Sequence, residues 1–225
     1  MTDNVLASHV FTSNPTQTTR GEGIINVQVT ATSEGVITMG GQTGFMSSDG
    51  RFMVSSSEDS DTSDNEVFFG VELFVKLPTS QQDLTGKSFN VFRLLERPLA
   101  NGGCLEYNNI IITFESNTSA KVTRGTQAGV DYCINTSSGS DFTNAKIDKE
   151  VFSDSFSLTM TSVSVGSQGQ ISMTFPPDTE TGGTERIEKM EGFISDDLKL
   201  IILRGKTTSS TGSRATSMNI GTLVP

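Results

Sequence analysis

The chain has 225 residues, of which 34% are hydrophobic, and it contains two tyrosines, fourteen phenylalanines and no tryptophan. Its formal net charge of −10 disfavours binding to nucleic-acid phosphates or to anionic membrane surfaces, because like charges repel. The sequence has no run of about eighteen apolar residues, so it predicts no transmembrane helix.

Residues 1–22 are polar, lack periodicity and include Pro15. We expect them to form a flexible N-terminal tether, followed by one β-barrel domain over residues 23–225. The first four residues lack the basic and apolar features of a secretion signal. The protein is therefore either cytosolic or an exported protein without its signal. The abundance of Ser, Thr, Asn and Gly favours an exported protein.

Residues 24–32 alternate apolar and polar side chains, which is typical of a strand with one wet face. Residues 36–39 return along it, and residues 45–55 predict a β-hairpin with Asp49-Gly50 as its two-residue turn. The acidic segment 57–66 predicts a solvated surface loop. A calcium site is the alternative there, because carboxylates and hydroxyls are ligands that calcium prefers.

Strand patterns continue to the end of the chain, with little sign of helix. The later predicted strands cover residues 67–77, 88–95, 105–114, 120–123, 130–134, 156–164, 170–175, 184–190, 198–204 and part of 215–224. Roughly ten to thirteen strands with local connections favour an all-β fold, an antiparallel up-and-down β-barrel. A β-sandwich or two fused small barrels is the alternative.

One hairpin pattern occurs twice. Segment 44–54 matches segment 192–202 at a glycine, a phenylalanine, a serine, an aspartate and a basic residue. Asp197-Leu198 replaces Asp-Gly in the second copy, so we expect the second turn to differ, for example by being longer.

The repeat extends upstream, where the second copy carries about five extra residues between the two matched segments. The matches are 29–33 with 158–162 and 35–39 with 169–173. The barrel is therefore predicted to be built from two related halves, approximately 24–77 and 156–224.

The two cysteines, Cys104 and Cys133, predict a disulfide that closes a loop of about thirty residues. In the chain-entropy model, such a bond stabilises the fold by roughly 3 to 4 kcal/mol. Two unpaired buried thiols are the alternative.

The sequence offers no clear catalytic constellation. The single histidine, His9, lies in the predicted tether, which argues against Ser-His-Asp chemistry and against a zinc site. No phosphate-binding glycine loop is present. We therefore predict no catalytic residue, no metal and no cofactor. Paired carboxylates on strands would be needed for glycoside hydrolysis, and the candidates are Glu72, Glu106, Glu115 and Asp131.

Phenylalanine and methionine supply most of the large apolar side chains. In a wide barrel they would line a pocket for an apolar ligand, and otherwise they would form a filled core. The candidate lining residues are Phe45, Phe52, Phe68, Phe74, Phe156 and Phe193.

With its polar leader and its two Gly-Phe-x-Ser hairpins, the chain resembles bacterial exported β-barrel proteins of the lipocalin-like kind, which are often lipoproteins. The resemblance implies a non-enzymatic protein that binds an apolar small molecule or a partner at the cell envelope. The expected locations are the periplasm, the outer membrane as a lipoprotein, or the cell surface. A structural or adhesive surface module with a filled core is the first alternative, and a carbohydrate-active enzyme is the second.

Overall fold

The computed structural model describes residues 5–10, 23–26, 30–32, 35–39, 42–61, 66–99, 102–124, 129–135, 146–152, 155–179, 185–209 and 214–225. Every regular element in these ranges is a β-strand, and every strand pair is antiparallel. The predicted all-β antiparallel class is therefore confirmed.

In chain order, the strands are β1 (Val5–Val10), β2 (Gly23–Asn26), β3 (Thr30–Ala31), β4 (Val36–Met39), β5 (Gln42–Met46), β6 (Phe52–Asp61), β7 (Glu66–Lys76), β8 (Ser88–Leu99), β9 (Gly102–Ser116), β10 (Ser119–Arg124), β11 (Gly129–Asn135), β12 (Lys146–Phe152), β13 (Phe156–Thr159), β14 (Ser162–Val165), β15 (Gln170–Thr174), β16 (Asp178–Thr179), β17 (Glu185–Ile194), β18 (Leu200–Ser209) and β19 (Arg214–Leu223).

The strands form two sheets. The seven-stranded sheet has the order β2-β1-β7-β6-β5-β4-β3. The twelve-stranded sheet has the main order β12-β11-β9-β8-β19-β18-β17-β15-β14, and β10, β13 and β16 pair beside this path. β9 is long enough to pair with β11 through its first half and with β10 through its second half, while β8 runs along its other side.

The larger apolar cluster lies on one face of the twelve-stranded sheet, which we call the inner face. Alternate residues of each strand point into it, as the two-residue period of a strand requires. Its fully buried members include Phe89, Val91, Ile112, Phe114, Ala120, Val122, Met173, Met190, Ile194, Ile201 and Leu203.

The opposite, outer face of the twelve-stranded sheet is covered by the seven-stranded sheet over β17, β18 and β19. Leu73, Val75 and Leu77 of the covering chain segment are buried there against Ile202 of β18. Half-buried side chains from both sheets extend this smaller cluster: Phe52, Val54, Phe193, Leu200, Met218 and Ile220.

The first strand differs from the sequence expectation. The predicted tether spans residues 1–22, whereas Val5–Val10 forms β1 between β2 and β7. The reason is that this short stretch is largely apolar and finds an open edge on β7. Residues 1–4 and 11–22 lie outside the described ranges.

The acidic segment also differs from its prediction as a loop. Residues up to Asp61 continue β6, paired with β7 from Glu66 onward. The apolar strand β7 offers backbone partners over this whole length, and those hydrogen bonds override the weak strand propensity of Ser and Asp. Residues 62–65 lie outside the described ranges.

The described residues form nineteen strands, more than the predicted ten to thirteen. Short or interrupted strands such as β3, β13 and β14 account for part of the difference.

The turn between β5 and β6 is held by a serine and an aspartate. The Ser47 hydroxyl donates to Asp49 Oδ1 at 2.6 Å and accepts the Phe52 backbone N–H at 3.0 Å. The hydrogen bond from Ser47, and that from the Arg51 backbone N–H, lower the pKa of Asp49. Gly50 adopts a left-handed φ of +69°.

The turn between β17 and β18 has the same hydrogen bonds. The Ser195 hydroxyl donates to Asp197 Oδ1 at 2.7 Å and accepts the Leu200 backbone N–H at 3.0 Å. Leu198 takes the place of the glycine with φ of +61°. The expectation that this turn differs is therefore wrong, because the side-chain hydrogen bonds fix its length and leucine tolerates the left-handed conformation at a modest cost.

Candidate functional site

A layer of buried polar side chains crosses the inner face beside the larger apolar cluster. Asn219 on β19, Arg93 on β8 and Asn108 on β9 occupy directly opposite register positions, so their side chains lie on the same face. All three are more than nine-tenths buried. We call these three residues, with Glu188 and Ser217, the polar layer.

Glu188 on β17 neutralises Arg93. The Arg93 Nη2 group donates to both carboxylate oxygens, at 2.7 and 2.8 Å. Gly205 on β18 makes this possible, because a Cβ there would lie 2.8 Å from Glu188 Oε1 and 2.1 Å from Ser217 Oγ. The Asn219 amide donates to Ser217 Oγ at 2.9 Å.

The polar layer is largely buried. Arg97 on β8 makes a second ion pair, with the buried carboxylate of Asp131 on β11. Among the described side chains, five buried polar atoms have no partner within the chain, and they all belong to this region: Arg93 Nε, Arg97 Nε, Asn108 Oδ1, Asp131 Oδ1 and Asn219 Oδ1. Buried polar atoms of this kind cost stability. The Arg93–Glu188 ion pair therefore links β8 to β17 across the inner face.

Among the three described carboxylates considered for glycoside hydrolysis, no two form an open pair. Glu106 and Asp131 are directly opposite each other on β9 and β11, but both lie on the inner face near arginines, Arg124 for Glu106 at 3.9 Å and Arg97 for Asp131. Glu115 accepts a hydrogen bond from a serine of its own hairpin. Glu72 lies on β7, and its side chain is outside the described part of the structure.

Cys104 and Cys133 form a disulfide, as the sequence predicts. They are directly opposite on β9 and β11, so the bond fastens the β11–β12 hairpin to the rest of the sheet. Asp131 lies close to both sulfurs. Bonded sulfurs are not thiolate ligands, so this group does not make a metal site.

The six candidate lining phenylalanines are not brought to one cavity. Phe156 packs against the larger cluster, whereas Phe52 and Phe193 pack in the smaller one. Phe45 is 62% exposed. Phe68 and Phe74 lie on β7, and their side chains are outside the described part of the structure.

The outer face carries exposed apolar side chains over β8, β9, β11 and β12, beyond the edge of the covering sheet. Phe92 is 44% exposed, Ile111 41%, Tyr132 37% and Val151 58%. Half-buried apolar residues of the same face lie between Phe92, Tyr132 and Val151, while the exposed Asn90 and Asn109 separate Ile111 from them. We call the whole set the aromatic strip: Phe92, Leu94, Tyr107, Ile111, Val130, Tyr132 and Val151.

The rings of the aromatic strip are in contact. The Phe92 and Tyr107 centroids lie 6.2 Å apart, and the Tyr107 and Tyr132 rings meet edge to face at 6.0 Å. Lys149 Nζ lies 5.9 Å from the Tyr132 centroid. Glu96 shares this face, and burial raises the pKa of its carboxyl.

The aromatic strip is continuous with the covered surface. The first row of opposite residues runs Phe193, Ile202, Ile220, Phe92 from β17 to β8. The second row runs Met218, Leu94, Tyr107, Val130, Val151 from β19 to β12. Each row begins under the covering sheet and ends in solvent.

Sequence reasoning missed the aromatic strip, although a signal was present. The only two tyrosines of the chain are Tyr107 and Tyr132. Tyr107 closely follows Cys104, and Tyr132 directly precedes Cys133. The predicted disulfide would therefore have placed the two rings on adjacent strands. Their meeting on one face then follows from the strand period.

No protein-family model matches this chain, and no curated protein is significantly similar to it. In the described ranges, no helix has the length and the hydropathy that a bilayer-spanning helix needs.

Proposed function

We propose that this chain is a non-enzymatic binding module that engages a macromolecular partner through the aromatic strip, at the cell envelope. The observation that carries the proposal is the exposure of Phe92, Ile111, Tyr132 and Val151 on one face of one sheet. Contiguous exposed apolar patches mark interaction sites, and tyrosine, phenylalanine and methionine are enriched at such interfaces. The disulfide supports an oxidising compartment.

Binding on the outside is favoured over an apolar ligand inside. A cavity of the size that holds a lipid-like ligand would give solvent-accessible area to the side chains that line it. Phe89, Phe114 and Met173 have none, and the same holds for most of the larger cluster. This supports a filled core, so the apolar carrier is the less favoured function.

We further propose that eight strands close a barrel around the larger cluster: β8, β9, β10, β13 with β14, β15, β17, β18 and β19. The support is that β10 pairs with β13, while β14, two residues further along, pairs with β15. Met160 and Thr161, between β13 and β14, donate backbone hydrogen bonds to Ala120 and Thr174, each at 2.9 Å. A closed ring of strands leaves no edge within the ring for aggregation.

We also propose that the chain contains two related halves, aligned differently from the sequence matches given above. The order β2-β1-β7-β6-β5-β4-β3 parallels the order β9-β8-β19-β18-β17-β15-β14. Ala31 pairs with Ile37, and Val165 pairs with Ile171. In this alignment the partner of Ala31 in the second copy is Val165, in place of the match of 29–33 with 158–162. Ser/Thr-rich strands resemble one another at many offsets, so the sequence alone allows both alignments.

A capture experiment with an envelope extract of the source organism tests the function. The baits are the wild type, the double variant Phe92→Ser with Tyr132→Ser, and the control Phe45→Ser, which removes an exposed aromatic ring from the other sheet. We expect the wild type and the control to retain the same partner and the double variant to lose it. Equal retention by all three baits would contradict the proposal, as would a lipid found inside the purified protein by native mass spectrometry.

A further inference from the structure

We propose that the partner of the aromatic strip is a second copy of this chain, which packs its own aromatic strip against the first about a two-fold axis. This inference rests on the proposed function and names the occupant of the same surface. Three observations carry it: continuity with an interface already present in the molecule, the mode of that interface, and the match of charges under a two-fold rotation.

The continuity is given by the rows of opposite residues. Ile202 and Ile220 are covered by the seven-stranded sheet, and Phe92 is the next residue in the same row. Met218 is covered, and Leu94 and Tyr107 follow it. One apolar surface therefore runs from a filled interface to a bare one without a polar boundary.

In the interface already present in the molecule, one sheet packs against the face of another. Over β17, β18 and β19 the outer face is covered by another antiparallel sheet of the same chain, whose Phe52 and Val54 face it. An apolar outer face of this kind thus already packs against a sheet in this molecule, and face-to-face packing of two sheets is a common arrangement.

The charges match when the two-fold axis lies along the strands, midway between β9 and β11. This rotation places the second strip face to face with the first. Each residue keeps its position along the strand direction, while β8 faces β12 of the second copy and β9 faces its β11. Glu96 of β8 and Lys149 of β12 stand in one row, with Leu105 and Tyr132 between them. Each Glu96 then faces the Lys149 of the second copy.

The apolar row is matched by the same operation. Leu94 faces Val151 of the second copy, and Tyr107 faces its Val130. A two-fold contact needs one self-complementary patch, and this strip is one. Four strands at a spacing of about 4.8 Å give a patch smaller than the roughly 800 Å² per partner of a stable complex. We therefore expect a reversible dimer with a dissociation constant in the micromolar range.

Sedimentation velocity over a concentration series of the oxidised protein tests the dimer. We expect the monomer at low concentration to give way to a dimer. Tyr132→Ser should raise the dissociation constant about tenfold, because Tyr132 lies beside the axis and faces Leu105 of the second copy. The control Phe45→Ser should leave it unchanged. Far-ultraviolet circular dichroism and thermal unfolding show that each variant is folded.

A charge swap tests the two-fold geometry itself. Glu96→Lys and Lys149→Glu should each weaken the dimer about tenfold, because each places like charges opposite each other twice per dimer. The double variant should recover most of the wild-type affinity. No recovery in the double variant would overturn the geometry, and a protein that stays monomeric at every concentration would overturn the dimer. In that last case, capture of another protein that depends on the strip would leave the proposed function standing.

Discussion

The outer face of the twelve-stranded sheet has two parts with the same chemistry and different neighbours. Over β17 to β19, Ile202 is 5% exposed beneath the seven-stranded sheet, while over β8 to β12, Ile111 is 41% exposed in solvent. Both parts present aliphatic and aromatic side chains in the same rows. In the covered part, such side chains are buried against a second sheet. In the bare part, the same kinds of side chain are exposed to solvent.

The comparison teaches that an apolar row across a sheet is not by itself a sign of a core. A sequence pattern reports which face of a strand is apolar, and it does not report what covers that face. The bare part is fastened from behind by the disulfide and the Arg97–Asp131 ion pair, which lie on the inner face. We interpret this as support for a surface that must keep its shape.

The largest expected effect comes from removing that fastening. The double variant Cys104→Ser with Cys133→Ser should lower the free energy of unfolding by roughly 3 to 4 kcal/mol, because the closed loop spans 29 positions. Denaturant unfolding measures the loss, and hydrogen exchange should locate it in β11 and β12. The wild type under a reductant should behave as the variant does. A loss of exchange protection centred on β17 to β19 instead would contradict the assignment.

Two matched isoleucines compare the covered and the bare part directly. Ile202→Ala should lower the free energy of unfolding by about 2 to 3 kcal/mol, since it leaves a cavity between two sheets. Ile111→Ala should lower it by less than about 1 kcal/mol, because that side chain is already wet. Chemical denaturation of monomeric samples gives both numbers. Equal losses at the two sites would mean that the bare part is covered in solution.

The covering sheet is joined to the larger sheet at its turn, where Arg51 Nε donates to Asp196 Oδ1 at 2.8 Å. Gly50→Ala in this turn should cost about 1 kcal/mol, because alanine is strained at φ of +69° while the space for a methyl group is free. Gly103→Ala on β9 is the matched control, with no left-handed φ and only an ordinary contact to the Arg97 carbonyl. Thermal unfolding of the two variants should separate them, and an unchanged melting temperature for Gly50→Ala would argue against the turn as described.

The smallest effect concerns Glu96 on the bare part. Burial raises the pKa of its carboxyl in the folded state above the unfolded value. The folded chain therefore holds this proton more tightly, so stability rises as the pH falls through the folded pKa and is lower above it. Glu96→Gln should remove this part of the pH dependence and give a small gain at neutral pH. Urea midpoints measured on both sides of that range test this, and identical pH profiles for wild type and variant would refute it.

The fold class and the covalent link could be predicted from the sequence. The alternation around residues 24–32 and the two cysteines are local signals, and each has one dominant physical interpretation. The strand at Val5–Val10 and the continuation of β6 to Asp61 could not be predicted, because both depend on backbone partners that only the assembled sheet provides. The equal length of the two turns needed Leu198 in a left-handed conformation, which residue preferences argue against.

The candidate site was harder to predict than the fold. Phe45 and Phe193 occupy matching positions of the repeated pattern, yet one is exposed and the other is packed between sheets. Sequence gives no means to tell them apart, because the difference lies in which sheet covers which. Phe92 and Tyr132 are exposed because the contacts of the covering sheet lie over β17, β18 and β19 and not over β8 and β11.

Fluorine NMR of protein labelled with 3-fluorotyrosine tests the central claim most directly, since the chain has only two tyrosines and both belong to the aromatic strip. When the strip engages its partner, whether a second copy at high concentration or a captured protein, both resonances should shift and lose their sensitivity to a soluble paramagnetic agent. Two resonances that keep their positions and their solvent exposure while a complex forms would contradict the account.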